Sequence, residues 1–235
     1  MSRVIVVARE AGVRDNEIMK VLATTTMFAG LERPLLEEVV SAGVLQHYRK
    51  GQILFGEGDP AERLYVVLEG AVKLYVVSED GAELNLGHLG PGLMFGEVAL
   101  ADGGPRSAFA EITEPSTLFA LGRTELFALL DAQPALVRNY LHQLGARIRA
   151  TTDRSEDLVF KDLQGRVAKQ LLSLASKDDA IEPMVSQQEL ANMVGGSRPT
   201  VNQILKHFEG RGYITVDNRR IDIRDATALH RLAGT

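Results

Sequence analysis

The sequence predicts an α+β fold: N-terminal helices and a glycine-punctuated β-roll, then one long helix, then a C-terminal winged helix-turn-helix. Three observations predict it. The apolar period is helical at first, becomes that of short strands from Gln46 to Ala120, and turns helical again near Thr124. An apolar seam then keeps spacings of three and four from Val137 to Leu158. Near the C-terminus, two capped apolar helices flank Gly195-Gly196, and two short strands follow.

With 235 residues, 45% of them hydrophobic, the chain can bury a sizeable core as one large or two modest domains. The pattern divides it into residues 1–130, helices plus β-roll; 131–161, the long helix and its link to the last part; and 162–235, the winged helix-turn-helix. There is no cysteine, which excludes disulfides, thiolate metal sites and cysteine-held iron–sulfur clusters. Val4-Ile5-Val6-Val7-Ala8 is apolar but stops at Arg9-Glu10, too short for a signal peptide. No apolar run approaches the roughly 20 residues of a membrane span. A soluble cytoplasmic protein with no membrane partner is expected. The net charge of −5 is unevenly spread. Residues 1–161 carry 16 Lys and Arg against 22 Asp and Glu; from Arg198 onward the count is 7 against 4. A polyanion meets the local basic tail rather than the total charge.

In chain order, residues 1–14 read as a short strand or an arm. Asp15 is placed to cap a helix carrying Ile18, Met19, Val21 and Leu22, interrupted at Thr24-Thr25-Thr26. Leu31, Leu35, Leu36, Val39 and Val40 form a second apolar face, with Pro34 in its first turn, where a missing N–H is tolerated. Short strands follow at Ile53–Phe55, Leu64–Leu68 and Val72–Val77, punctuated by glycines in the manner of a sandwich, barrel or roll. Glu79-Asp80-Gly81 is a hairpin turn. Thr124 caps the next helix and Pro134 starts the long one. Gln164–Ala175 is helical, and Ser176–Pro183 is an acidic loop. Ser186 and Glu189 form a capping box; Ser197 caps a second helix with Pro199 in its first turn. Val201, Ile204, Leu205 and Phe208 face inward, and Gly210 ends that helix. Tyr213–Val216, a turn at Asp217-Asn218-Arg219, and Ile221–Ile223 make the wing.

The stretch that organises the chain is Gly92-Leu93-Met94-Phe95-Gly96-Glu97-Val98-Ala99-Leu100, followed by Gly104-Pro105-Arg106-Ser107-Ala108. Amides freed at a helix start over Gly96–Ala99, the Arg106 guanidinium and the Ser107 hydroxyl suit a small esterified phosphate. Glu97 cannot hold a phosphate, because like charges repel, but it can accept hydrogen bonds from sugar hydroxyls. Phosphate and ribose in one small pocket mean a nucleotide. A plainer account also fits, in which the glycines serve turns and Glu97 and Arg106 form a structural ion pair.

The Phe95-Gly96-Glu97…Pro105-Arg106-Ser107-Ala108 pattern resembles the phosphate-binding cassette of cyclic-nucleotide-binding domains. From about residue 20 onward the chain resembles the bacterial cAMP receptor protein / fumarate-nitrate regulator (Crp–Fnr) family of transcription factors. That resemblance implies a dimeric allosteric regulator built on a double-stranded jelly-roll. Gly96, Glu97, Val98, Ala99, Arg106 and Ser107 would bind a cyclic nucleotide, cAMP first, with cGMP open. The long helix would be the homodimer interface. Thr151 would reach the purine of its own subunit and Thr152 that of the other; the alternative is a hydroxyl bonded back to its own helix. Phe160 and Asp162 match the family hinge.

The outward face of the second C-terminal helix carries Arg198, Pro199, Asn202, Gln203 and Lys206, and helices of this kind read bases with their N-terminal residues. The DNA-facing set is completed by Ser197 and Thr200, with Arg219 and Arg220 of the wing toward phosphate. Arg198 has the fork for guanine O6 and N7, and Gln203 suits adenine. The family pattern places Glu after this Arg and a further Arg later; Pro199 and Gln203 stand there, so the operator should differ at two base pairs. Gln187 replaces a phosphate-binding Arg. Paired recognition helices about 34 Å apart fit a palindromic double-stranded operator, and RNA polymerase is an implied further partner. No metal-ligand cluster and no nucleophile–base pair is evident, so neither a metal nor catalysis is expected. Two other regulators also fit: a ligand-independent one, and a haem sensor using one of His47, His88, His142, His207 or His230.

Overall fold

The computed structural model describes residues 5–6, 13–175, 180–181, 186–217 and 220–234. Expectations for the rest of residues 1–12, for most of 176–185 and for Asn218-Arg219, including the phosphate contact of Arg219, lie outside the described residues. The described residues fall into two compact units, one within Met1–Val76 and Leu86–Arg149, the other within Val77–Asn85 and Ala150–Thr235.

The first unit opens with β1 (Ile5–Val6), α1 (Val13–Leu22), α2 (Arg33–Ala42), β2 (Val44–Tyr48) and β3 (Ile53–Phe55). There follow β4 (Arg63–Val77), β5 (Glu83–Leu89), β6 (Met94–Phe95), the six-residue α3 (Glu97–Asp102), β7 (Phe109–Gly122) and α4 (Arg123–Ala132). The sheet is ordered β1-β2-β7-β4-β5, with β3 added to β7 and β6 to β4; the pairings that set the core are antiparallel. Successive side chains of β4 point to opposite faces, and both faces are buried. Leu64 and Val66 join Leu22, Phe28, Leu126 and Leu136 under the helices. Tyr65 and Val67 join Phe95, Ile112 and Leu118 inside the roll. That double burial is why Leu64–Leu68 reads as an unbroken apolar run.

Several expected boundaries move. The two strands expected at Leu64–Leu68 and Val72–Val77 are one strand, β4, 15 residues long. It bends at Gly70, φ +83°, where the register against β7 shifts. A Cβ there would lie 2.3 Å from Ser116 Oγ and 2.4 Å from the Pro115 carbonyl, so the strands approach too closely for any side chain. Asp15 sits within the first turn of α1 rather than ahead of it. Thr124 is likewise inside α4, whose N-cap is Gly122 with no side-chain cap bond. The chain enters the helix three residues earlier at α1 and two earlier at α4 than a polar cap would dictate, a boundary that local propensity fixes poorly.

The long helix α5 (Pro134–Phe160) has 27 residues. It is followed in the second unit by α6 (Leu163–Leu174), β8 (Ala180–Ile181), α7 (Gln187–Val194), α8 (Arg198–Gly210), β9 (Ile214–Asp217), β10 (Arg220–Ile223) and α9 (Ala226–Ala233). A three-stranded sheet, β8-β10-β9, forms the wing. Val167, Leu171, Leu190, Val201, Leu205, Phe208 and Leu229 share one core. The Ser186–Glu189 capping box is complete, its two bonds 3.1 and 2.6 Å long. Asp162, at the expected hinge, caps α6 by accepting from the Gly165 amide at 2.7 Å. Helix α9 was not expected from the sequence. Asp225 caps it through the Ala228 amide, and Ala228, Leu229 and Ala233 are its buried residues.

Candidate functional site

Helix α3 begins at Gly96, whose left-handed backbone, φ +81°, turns the chain out of β6. Any Cβ at Gly96 would lie 2.6 Å from Arg106 Nη1. The glycine therefore permits both the turn and the arginine. Arg106 is only 4% exposed. Its Nη1 donates to the Gly96 carbonyl at 2.9 Å and its Nη2 to the Arg63 carbonyl at 2.6 Å. The guanidinium carbon lies 4.1 Å from the Phe55 ring centre and 5.9 Å from that of Tyr65. Arg106 Nε is buried and has no hydrogen-bond partner among the described residues. Burial pulls the Arg106 pKa down, and the nearby Tyr65, Asp59 and Glu97 only partly offset it. Arginine nevertheless stays charged, so a cation is held here by neutral carbonyls and aromatic faces.

Glu97 is 3% exposed. Burial pushes its carboxyl pKa up, against the smaller opposing effects of its own backbone amide, Arg147 and Arg106. Among the described residues no ion pair joins Glu97 to Arg106, so the structural ion pair allowed by the sequence does not form. Arg106 instead docks on the residue before Glu97. The Glu97 carbonyl accepts a 2.8 Å hydrogen bond from Tyr140 Oη on α5. Val98 is exposed, Ala99 buried, and Ser107 exposed. Arg106 also lines a cavity of about 480 Å³ with Tyr48, Phe55, Arg63 and Tyr65, but Glu97 and Ser107 do not line it. Thr151 and Thr152 are exposed residues of α5, placed in the second unit.

Sequence reasoning missed the residues that embrace this pair. Phe55 and Tyr65 carry no local signal for an arginine far along the chain. Tyr140 and Arg147 stand seven residues apart on α5, with Thr151 four further on, so one helix face carries all three. That periodicity was available as a signal.

On α5 the seam residues Leu141 and Ile148 are 63% and 67% exposed, and Phe160 is 82% exposed. Asp157 is bridged by Lys161 at 3.1 Å and by Lys169. Burial pushes the Asp157 carboxyl up, but the two lysines outweigh it and hold the pKa below its ordinary value.

Helix α8 presents Arg198, Pro199, Thr200, Gln203 and Lys206 to solvent, with Asn202 half-buried. Ser197 is its N-cap, bonded to the Thr200 amide at 3.4 Å and to the Thr200 hydroxyl at 2.7 Å. Those two hydroxyls thus shape the helix start, and the longer Arg198, Gln203 and Lys206 project from it. Arg220 on the wing is held by Asp222 at 2.8 Å. Among the described residues no group of three or more His, Cys, Asp or Glu is placed to hold a metal ion, and no helix is long and apolar enough to cross a membrane.

Residues 45–133 match the cyclic nucleotide-binding domain family, and residues 165–232 match the Crp-like helix-turn-helix domain family. The CRP-like cAMP-activated global transcriptional regulator of Mycobacterium tuberculosis is 34% identical over 221 residues, covering 91% of this chain and 99% of that one. The cyclic AMP receptor protein of Thermus thermophilus is 32% identical over 207 residues, covering 88% and 96%. The solved structure of the c-di-GMP responsive global regulator CLP of Xanthomonas campestris has a TM-score of 0.72 at 25% identity, covering 82% of this chain and 99% of that one. These relatives are regulators of transcription, not enzymes. A nucleotide-type cassette on a jelly-roll, a long helix and a winged helix-turn-helix, matched along nine-tenths of the chain, establish that this protein belongs to the Crp–Fnr family of DNA-binding transcription regulators.

Proposed function

We propose that the protein is a cytoplasmic homodimer whose binding to a palindromic operator is controlled by cAMP. The observation that carries the ligand is Arg106, a buried guanidinium with no carboxylate partner and an unbonded Nε. A cyclic phosphate supplies the missing anion. Charge-assisted bonds from a buried guanidinium are the strong ones, and the Ser107 hydroxyl and the amides over Gly96–Ala99 add neutral donors. Glu97 accepts from the ribose. Thr151 meets the purine in its own subunit and Thr152 that of the other. The Mycobacterium and Thermus relatives support cAMP by their names. The Xanthomonas relative responds to c-di-GMP, so ligand choice within the fold varies.

The exposed Leu141 and Ile148 support pairing of α5 with a second copy. Phe160 and Asp162 then form the hinge through which ligand state reaches the recognition helices. Arg198 and Gln203 read bases and Ser197, Pro199, Thr200 and Asn202 shape that surface. Lys206, Arg219 and Arg220 meet phosphate, and RNA polymerase is engaged from the bound operator.

Calorimetric titration with cAMP, alongside Arg106→Ala, tests the reading. Wild type should bind, and the variant should weaken by roughly 10- to 100-fold, the effect of losing a hydrogen-bonded charge. Binding of cGMP or c-di-GMP in place of cAMP would reassign the ligand. Response to none of the three would leave a ligand-independent or other-ligand regulator, such as a haem sensor, with DNA binding intact.

A further inference from the structure

The cassette and the long helix are joined at one point that the nucleotide chemistry does not require. Tyr140 Oη donates to the Glu97 carbonyl at 2.8 Å, and both residues are buried. Burial raises the Tyr140 pKa to about 12, with the nearby Glu97 adding to the rise and Arg123 opposing it. The hydroxyl therefore stays a donor across the physiological range. Tyr140 is fixed from its own side as well. Its neighbour Asn139 donates to the Met27 and Ala29 carbonyls at 3.1 and 3.0 Å, and Leu136 one turn earlier is buried. The first turns of α5 are thus seated on the first unit, and Tyr140 extends that seat to the first residue of α3.

We infer that Tyr140 is the positioning residue that couples the cassette to α5. The inference rests on the nucleotide reading above. Glu97 then offers two handles: its carboxylate to the ribose and its carbonyl to Tyr140. A ligand that draws the carboxylate shifts the carbonyl of the same residue. The buried Tyr140 hydroxyl has to follow or lose its partner, and a lost buried hydrogen bond is costly. The displacement is delivered to α5 on the face that carries Arg147 one heptad on and Thr151 after it. A ligand contact at the cassette thereby acts on the helix, whether or not the purine touches it.

The test compares Tyr140→Phe with wild type. Phenylalanine keeps the ring and its packing and removes only the hydroxyl. The DNA probe is a duplex selected by the wild-type protein from a random pool in the presence of cAMP. Two quantities are measured: cAMP affinity of the free protein by calorimetry, and the factor by which saturating cAMP raises affinity for the duplex. Tyr140→Phe should still bind cAMP, within about threefold of wild type, while its coupling factor falls about fivefold or more, the low end of ordinary allosteric coupling. Asn139→Ala controls for general loosening. It breaks two bonds near Tyr140 but none to the cassette, so it should lower the melting temperature and leave the coupling factor within about twofold. Equal coupling factors in Tyr140→Phe and wild type would overturn the inference while leaving the nucleotide reading standing. An equal loss in Asn139→Ala would also overturn it, by reducing the effect to stability. Absence of binding of cAMP, cGMP and c-di-GMP alike by the wild type would overturn both.

Discussion

Glu97 is a buried carboxyl whose pKa burial has raised. The folded protein therefore holds its proton more tightly than the unfolded chain, where the ordinary value is 4.5. Stability from this group is complete below that value and is lost as pH rises through the raised pKa. The proposed nucleotide contact has the opposite slope, because only the ionised carboxylate is a full acceptor for a ribose. We expect cAMP affinity to fall on acidification, with a midpoint above the normal carboxylate range, and Glu97→Gln to remove that dependence. Calorimetric titrations across a pH series check it; a flat profile in wild type would show that Glu97 does not touch the ligand. Asp157, held low by Lys161 and Lys169, contributes in the other sense, with stability present above its ordinary value and lost as pH falls. The sequence made Glu97 and Arg106 visible because the chemistry is written in their types and close spacing. It could not show that Arg106 is held by the carbonyl of Arg63, 43 residues earlier, because every residue carries a carbonyl.

Among the elements, β4 depends on one backbone conformation. Gly70→Ala puts a Cβ in the left-handed region and against Ser116 Oγ and the Pro115 carbonyl. A loss of roughly 3 kcal/mol in the first unit should follow, visible as a lowered denaturant midpoint. Ser186→Ala opens the capping box of α7 and should cost about 1 kcal/mol, read in the same way. Helix α5 makes a sharper forecast. Leu141→Glu with Ile148→Glu should turn the proposed dimer into monomers in sedimentation while leaving the β-roll folded, since neither side chain is buried in the chain itself. The seam of α5 was legible because its spacing persists over many turns. Helix α9 was not, although Asp225 caps it and Leu229 and Ala233 anchor it. It is only eight residues long, and its signal becomes strong only once a core exists to receive it. The union of two expected strands into β4 was hidden for a related reason. Glycine usually marks a turn between strands, and Gly70 marks a bend within one.

For the molecule as a whole, a net charge of −5 coexists with DNA binding because recognition is local. In the proposed homodimer, two recognition helices related by the dimer axis require half-sites about one helical turn apart. Inserting about five base pairs between the half-sites should abolish high-affinity binding, and about ten should restore part of it, as read by anisotropy. Affinity should also fall steeply with salt, by roughly 0.9 log units per log unit of salt for each phosphate neutralised. Lys206→Ala should reduce that slope by about one without changing base preference. The α+β class and the order roll, long helix, winged helix-turn-helix were legible, because each segment has its own apolar period.

The hold on Arg106 has a consequence for how this sequence can drift. Both of its acceptors are main-chain oxygens, and the oxygen at position 63 is present whatever side chain stands there. Substitution at 63 therefore leaves the main-chain grip on the Arg106 guanidinium in place, and the genetic code has little purchase on it. At position 96 the opposite holds: a positive φ strains any side chain, and its Cβ would lie 2.6 Å from Nη1, so glycine is strongly favoured. Lineages descending from this chain can thus vary widely around the guanidinium while one small codon family stays fixed beside it.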